Sequence, residues 1–317
     1  MKFWLGVILL SLLLTTGCAP LGISANNSLD ALQDTGLDSL HSLTPGATIT
    51  STTITTATST ITTTPFRPIT ASPTSTTNPT STTTITPDPD KTQFGPGPVL
   101  FPILMYHRVV PYNGSGSEYA VTVDQFTRQM KWLKDEGYQT IKVADMVEAI
   151  HNGKLLPNKP VIITFDDGFT DVYNYAFPIL EEMGYTATMY LIEGVINKHP
   201  YVSDENIEDL IEAGWEFGNH SRTHAYLPSL NNIGEEVCSS RTRLIERFGL
   251  PFDSFAYPFA AKHEGSMQAV KECGYTSGAG NGSFTIHTEE RLFFFSRREI
   301  KSYFDMQRFI TTVTDVR

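Results

Sequence analysis

At 317 residues and a formal net charge of −11, the chain has the wrong sign for nucleic acid or an anionic membrane surface as partner. Such acidity suits a neutral or cationic substrate. The length allows one large domain or two small ones, but composition shifts so sharply along the chain that one folded domain with appendages is expected.

The first residues read as a secretory signal: Lys2 supplies the charge, and residues 3–14 form an apolar core too short for a membrane span. The core runs into Leu14-Thr-Thr-Gly-Cys18, which is similar to the lipobox of bacterial lipoproteins, although Thr15 stands where Leu is usual. A signal over residues 1–18 is expected, with Cys18 lipidated as the only attachment to a membrane, or plain secretion. Residues 19–93 follow as a disordered stalk. Between 44 and 92 they are nearly all Thr, Ser and Pro, which cannot bury enough apolar surface to offset the entropy of ordering. At roughly 3 Å per residue when extended, this tract could hold a domain on the order of 100 Å from its anchor.

Residues 94–317 are globular in composition and form the expected catalytic domain. Residues 101–106 predict a buried strand, and 123–137 a helix with Phe126, Met130 and Leu133 on one face and a glycine stop. A strand over 161–165, a helix over 171–184 and a strand over 187–192 come next. Ile207, Leu210 and Ile211 mark a helix over 204–214, and Trp215-Glu-Phe-Gly a short strand. Helical patterns over 233–249, 266–274 and 303–313 flank a strand at 255–257. Cys238 and Cys273 each sit in a helical pattern without a spacing signature, so two buried thiols are expected. Alternating strands and helices indicate a parallel sheet, open or closed into a barrel, with its site at the C-terminal strand ends.

Two motifs occupy such ends. Thr164-Phe-Asp-Asp-Gly168 puts adjacent carboxylates after an apolar run, and His220-Ser-Arg-Thr-His224 puts two imidazoles four residues apart. Two His and one carboxylate hold a divalent metal with positions left open, and a second Asp beside them can act as a base. If the strand pleat continues, Asp166 and Asp167 point in different directions. Asp-Asp-Gly alone could be a turn, and the His pair a surface pair. Phe255-Ala-Tyr-Pro-Phe259 could simply be a strand ending in a turn, and His107, in Met105-Tyr-His-Arg, a core histidine.

In order and spacing, these motifs resemble the first three of NodB-type polysaccharide deacetylases, carbohydrate esterase family four. The likeness continues through Gly184-Tyr-Thr-Ala-Thr-Met and Ala213-Gly-Trp-Glu-Phe-Gly-Asn-His220 and covers roughly residues 101–309. It implies a distorted (β/α)7 barrel that removes N-acetyl groups from N-acetylglucosamine polymers. It also implies Asp166 as general base and Asp167, His220 and His224 as ligands of Zn²⁺ or of Co²⁺, Ni²⁺ or another divalent transition ion. The backbone N–H of Phe259 matches the oxyanion donor. Two departures stand out: Ala256 occupies the place of an arginine that braces the catalytic Asp, and no C-terminal Leu-x-His is evident, Ile286-His287 being nearest. Both are shared with a subgroup resembling the poly-N-acetylglucosamine deacetylases, whose acid histidine comes from the first strand; His107 matches it. Arg297 is the expected replacement brace, with Arg298 as alternative.

The expected protein is therefore an extracytoplasmic, metal-dependent deacetylase of an acetylated polysaccharide, monomeric and without nucleic-acid partners. An O-acetyl esterase on xylan uses the same site, and a non-catalytic glycan-binding protein would keep the fold. A non-haem iron oxygenase also uses two His and a carboxylate, but the β/α alternation and the spare Asp fit it poorly.

Overall fold

Seven short runs become parallel strands in a computed structural model that describes residues 91–93 and 96–316. The expected signal, Cys18 and all but the end of the expected stalk lie outside the described residues. The strands are β1 (Ile103–Tyr106), β2 (Pro160–Phe165), β3 (Thr188–Leu191), β4 (Glu216–Asn219), β5 (Ser254–Ala256), β6 (Ser277–Ala279) and β7 (Arg298–Glu299). Their order in the sheet is β6-β5-β4-β3-β2-β1-β7, with Gln139–Thr140 added beside the start of β2. Every pairing within this sheet is parallel. The residues leading into β7 also bond the opposite edge. Phe295 N–H donates to the Gly278 carbonyl at 2.9 Å, Gly280 N–H to Phe295 at 2.8 Å, and Gly282 N–H to Arg297 at 3.0 Å. Residues 295–299 thus serve both edges and curl the sheet into the distorted seven-stranded barrel.

Seven helices cover it: α1 (Val123–Asp135), α2 (Val143–Asn152), α3 (Phe177–Glu182), α4 (Asp204–Glu212), α5 (Ser240–Phe248), α6 (Glu264–Glu272) and α7 (Met306–Thr314). Local chemistry sets several of their ends. Thr122 with Gln125, and Ser203 with Asn206, form reciprocal capping boxes at α1 and α4. Gly153 and Gly249 end α2 and α5 in the left-handed conformation. The helices expected over 171–184 and 233–249 each open with one wide turn, Val172–Ala176 and Glu235–Ser239.

Helix α2 is not among the predicted elements, and its start shows why. The side chain of Lys142 makes no capping bond; the first amides, of Val143 and Ala144, are instead held by Glu216 at 2.7 and 2.9 Å. That carboxylate opens β4, far away in sequence, so the cap is a tertiary contact. Strands β6 and β7 also escape prediction, being two or three residues long and carrying Ser, Gly, Arg and Glu.

Alternation along the strands separates two apolar groups. Ile163, Phe165, Met189, Leu191 and Phe217 pack with α1, α3, α4 and α5 in one cluster. Ile103, Ile162, Tyr190, Ala256 and Phe295 pack together with α2 in another. Within the second, the Tyr190 ring lies over Gly218, where an added Cβ would come within 2.4 Å of it. The Tyr190 hydroxyl meets Ser254 Oγ at 2.8 Å, and Ser277 donates to the same oxygen at 3.0 Å.

The expectation of two separate thiols is corrected: Cys238 and Cys273 form a disulfide with Cα atoms 5.0 Å apart. The turn Glu235–Ser239 and the end of α6 pack side by side, a proximity that no local spacing could reveal. Replacing both cysteines by serine should lower unfolding stability by about 3–4 kcal/mol, the chain-entropy value for a 35-residue separation. Urea unfolding of wild type with and without dithiothreitol should show the same loss, and an unchanged midpoint would refute it.

Candidate active site

The C-terminal ends of β1, β2, β4 and β5, with the segment entering β7, supply the polar side chains. Thr164 and Asp166 fall on one side of β2, and Phe165 on the other, stacked on Trp215 at 5.7 Å. The strand ends at Phe165. Asp167 turns into the left-handed region, with φ 73°, so the adjacent carboxylates diverge by a backbone turn rather than by a continued pleat. Both still line one cavity of about 500 Å³. That cavity gathers every residue anticipated for the site: His107, Asp166, Asp167, His220, His224, Phe259 and Arg297.

Asp166 is buried and held bidentately. Arg297 Nη1 donates to Oδ1 at 2.6 Å and Nη2 to Oδ2 at 2.8 Å. Arg297, only 1% exposed, also donates to Thr164 Oγ1 and the Gly280 carbonyl, and stacks 5.1 Å over the Tyr190 ring. Each nitrogen of this buried cation thus meets an acceptor, and its plane meets a π face. Burial alone would raise the Asp166 carboxyl, but Arg297, then His220, hold it well below the usual carboxylate range. Arg298 faces the other way, as strand alternation requires. It donates to the carbonyls of Ser283, Thr312 and Asp315 and so ties α7 to the barrel. The geometry selects Arg297 as the partner of Asp166.

Asp167, His220 and His224 form the second half. His220 Nε2 and His224 Nε2 each lie 3.5 Å from Asp167 Oδ1. Donors about 2.1 Å from one tetrahedral ion are about 3.4 Å apart, so the three side chains fit a single divalent cation. Asp167 Oδ1 is buried and makes no hydrogen bond, and His220 Nδ1 is 2.8 Å from the Ala256 carbonyl. A carbonyl there takes the Nδ1 proton and leaves Nε2 with its lone pair facing the cluster. Burial, then the proximity of His220, lowers the pKa of His224 and favours its neutral, ligating form.

The backbone around these residues is strained. Among the described residues, six other than glycine have positive φ, and Asp167, Ser221, His224, Phe259 and Ala260 are five of them. His107 borders the cavity with its Nδ1 buried and unpartnered and its ring 4.9 Å from that of Tyr119. His287 lies elsewhere: it is buried against the Phe101 carbonyl at 3.0 Å, and burial pushes its pKa down to about 4. Sequence reasoning missed Tyr119, Asn281 and Glu299 on the cavity wall, and Glu236 behind the His220–His224 loop. No local pattern marks them, because each reaches the site from a different segment of the chain.

Residues 154–278 match the family model described as polysaccharide deacetylase. The chain is 31% identical to Bacillus subtilis YxkH, named as a polysaccharide deacetylase, over 183 residues, 57% of this chain and 64% of that protein. It is 26% identical over 203 residues to the poly-β-1,6-N-acetyl-D-glucosamine N-deacetylase of Staphylococcus aureus MRSA252, 55% of this chain and 70% of the other. Thus the chain spans less than two thirds of the Bacillus relative. Among solved structures, the Streptococcus pyogenes deacetylase PplD in complex with acetate superposes with a TM-score of 0.64 at 25% identity, covering 68% of this chain and 99% of the other.

Arg297→Ala should cost roughly 3–5 kcal/mol of stability by stranding a buried carboxylate, and Asp166→Asn in the same chain should recover part of it. Because the Asp166 carboxyl is held below its unfolded value of about 3.9, the pair stabilises above that pH and the benefit fades as pH falls through the lowered folded value. The wild type should therefore lose its advantage over the double variant on acidification. Urea titrations at pH 7 and pH 3 decide the matter; a gap independent of pH would sink the assignment.

Proposed function

This chain carries a polysaccharide deacetylase domain, and on that premise we propose that it hydrolyses N-acetyl groups from an N-acetylglucosamine-containing glycan outside the cytoplasm. The single observation that carries the reading is the convergence, in one cavity, of an arginine-held carboxylate and a separate Asp-His-His cluster with metal-ligand spacing. The staphylococcal relative acts on poly-β-1,6-N-acetylglucosamine and the streptococcal structure holds acetate, the product such a reaction would release. The signal-like start, Cys18 and the Thr-rich tract support a tethered enzyme at the cell envelope.

Asp167, His220 and His224 would hold Zn²⁺, Co²⁺ or Ni²⁺, which supplies a Lewis acid for the amide carbonyl and lowers the pKa of a water. Asp166 is placed to remove the proton from the attacking water as the water oxygen bonds the carbonyl carbon. Arg297 keeps Asp166 ionised at neutral pH and aims both its oxygens. The Phe259 N–H meets the oxygen that gains charge, an interaction worth roughly 3–4 kcal/mol. His107 then gives a proton to the nitrogen as the C–N bond breaks, because an amine leaves and an amide anion does not. Acetate and a free glucosamine unit result.

Acetate release from poly-β-1,6-N-acetylglucosamine, peptidoglycan, chitin oligomers and acetylated xylan tests this directly. Release from an N-acetylglucosamine polymer should stop on chelation and return with Zn²⁺, Co²⁺ or Ni²⁺. Asp166→Asn and His107→Ala should each lower kcat by about 10²–10⁴. Release from xylan alone would make the protein an O-acetyl esterase, and glycan binding without acetate release would make it a binding protein.

A further inference from the structure

The loop that carries both histidines is held by a carboxylate behind it. Residues 220–224 include two left-handed residues, Ser221 with φ 65° and His224 with φ 59°. Each such residue is strained and persists only where its surroundings impose it. One side of the loop is fixed by backbone: Glu193 N–H donates to Ser221 O at 3.0 Å and Gly194 N–H to Arg222 O at 2.8 Å. A Cβ at Gly194 would lie 2.6 Å from that same Arg222 oxygen, so this approach requires glycine. The Ser221 hydroxyl takes the His224 N–H at 2.9 Å.

Glu236 takes two further amides and one hydroxyl of the loop. Its Oε2 accepts from Arg222 N–H at 3.0 Å and Thr223 N–H at 2.9 Å, and its Oε1 from the Thr223 hydroxyl at 2.8 Å. Glu236 is 9% exposed, and these three donors to its carboxylate all belong to this loop. Burying a carboxylate is unfavourable unless donors replace its water, and here the donors are the two residues midway between the imidazoles. The neighbouring Glu235 is a natural contrast: it is exposed and pairs with Arg222 and Arg243 in solvent. A second strut leaves the same turn, for Ser240 Oγ donates to the Glu236 carbonyl at 2.6 Å and accepts from Asn219, the residue before His220, at 2.7 Å. The disulfide from Cys238 fixes that turn to the end of α6.

We propose that Glu236 is the positioning residue of the metal site: its carboxylate holds the 220–224 loop in the strained form that aims His220 and His224 at Asp167. The inference rests on the metal-site reading above. Outer partners of metal ligands typically contribute 10- to 100-fold in metal affinity. Co²⁺ binding to the full folded chain, read by its visible absorption and by chelator competition, separates the two claims. If wild type binds no Co²⁺, the metal-site reading fails. If it does, Glu236→Ala should weaken binding 10- to 100-fold and alter the spectrum. Glu236→Gln, which keeps one acceptor oxygen, should fall between, and Glu235→Ala should match wild type. A folded Glu236→Ala protein with wild-type affinity and spectrum overturns the proposal. Should that variant not fold, Glu236→Gln is judged by the same criterion, and wild-type binding by it overturns the proposal equally.

Discussion

Taking a guanidinium and a carboxylate out of water costs several kcal/mol per ion, and their mutual attraction offsets this only with near-ideal geometry and additional hydrogen bonds to the pair. The Arg297–Asp166 pair meets those terms. Its two oxygens take two guanidinium nitrogens, while Thr164 and Gly280 accept further N–H groups and the face of Tyr190 lies against the cation. Tyr190 can lie there because Gly218 leaves room for its ring, and its hydroxyl ends on Ser254. The column from Asp166 down through Tyr190 to Ser254 makes the polar interior of the barrel continuous with its apolar packing. Loosening any layer would tilt the carboxylate above it.

The Asp-His-His half is built on the opposite principle. Rigid strand geometry positions Asp166, whereas left-handed turns position Asp167 and His224. Their strain is confined to the strand-end loops, and local partners hold it: the Ser221 hydroxyl, the Ala256 carbonyl on His220, and Glu236 behind Arg222 and Thr223. A turn can present two consecutive carboxylates to one cavity from different angles, which a regular pleat cannot do. The Asp166-Asp167 pair therefore depends on the strand stopping at Phe165.

Much of this was legible in the chain itself. The apolar runs at β1, β2 and β3, the spaced faces of α1 and α4, and the carboxylate and histidine motifs announce a β/α domain with its chemistry at strand ends. What was hidden depends on contacts distant in sequence. Helix α2 takes its cap from Glu216, and β6 and β7 are too short and too polar to show a period. Cys238 and Cys273 meet only because a wide turn packs on the end of α6. Arg297 was singled out from an absence, Ala256 standing where a bracing arginine is usual; the choice between Arg297 and Arg298 needed the strand direction. Glu236 had no signal, since a carboxylate beside another in a helical pattern reads as solvated surface.

The source of Arg297 couples site assembly to closure of the fold. Residues 295–299 hydrogen-bond β6 on one side and β1 on the other, so they take their place only when the sheet curls fully round. Alternation then sends Arg297 inward to Asp166 and Arg298 outward to the carbonyls of Ser283, Thr312 and Asp315. A brace contributed by β5, the place of Ala256, would be fixed by neighbouring parallel strands alone. One contributed by the closing segment is fixed only when the barrel is shut and α7 is docked. The carboxylate at the end of β2 is thus oriented by the segment that joins the two edges of the sheet, and an open barrel would leave Asp166 without the cation its burial requires.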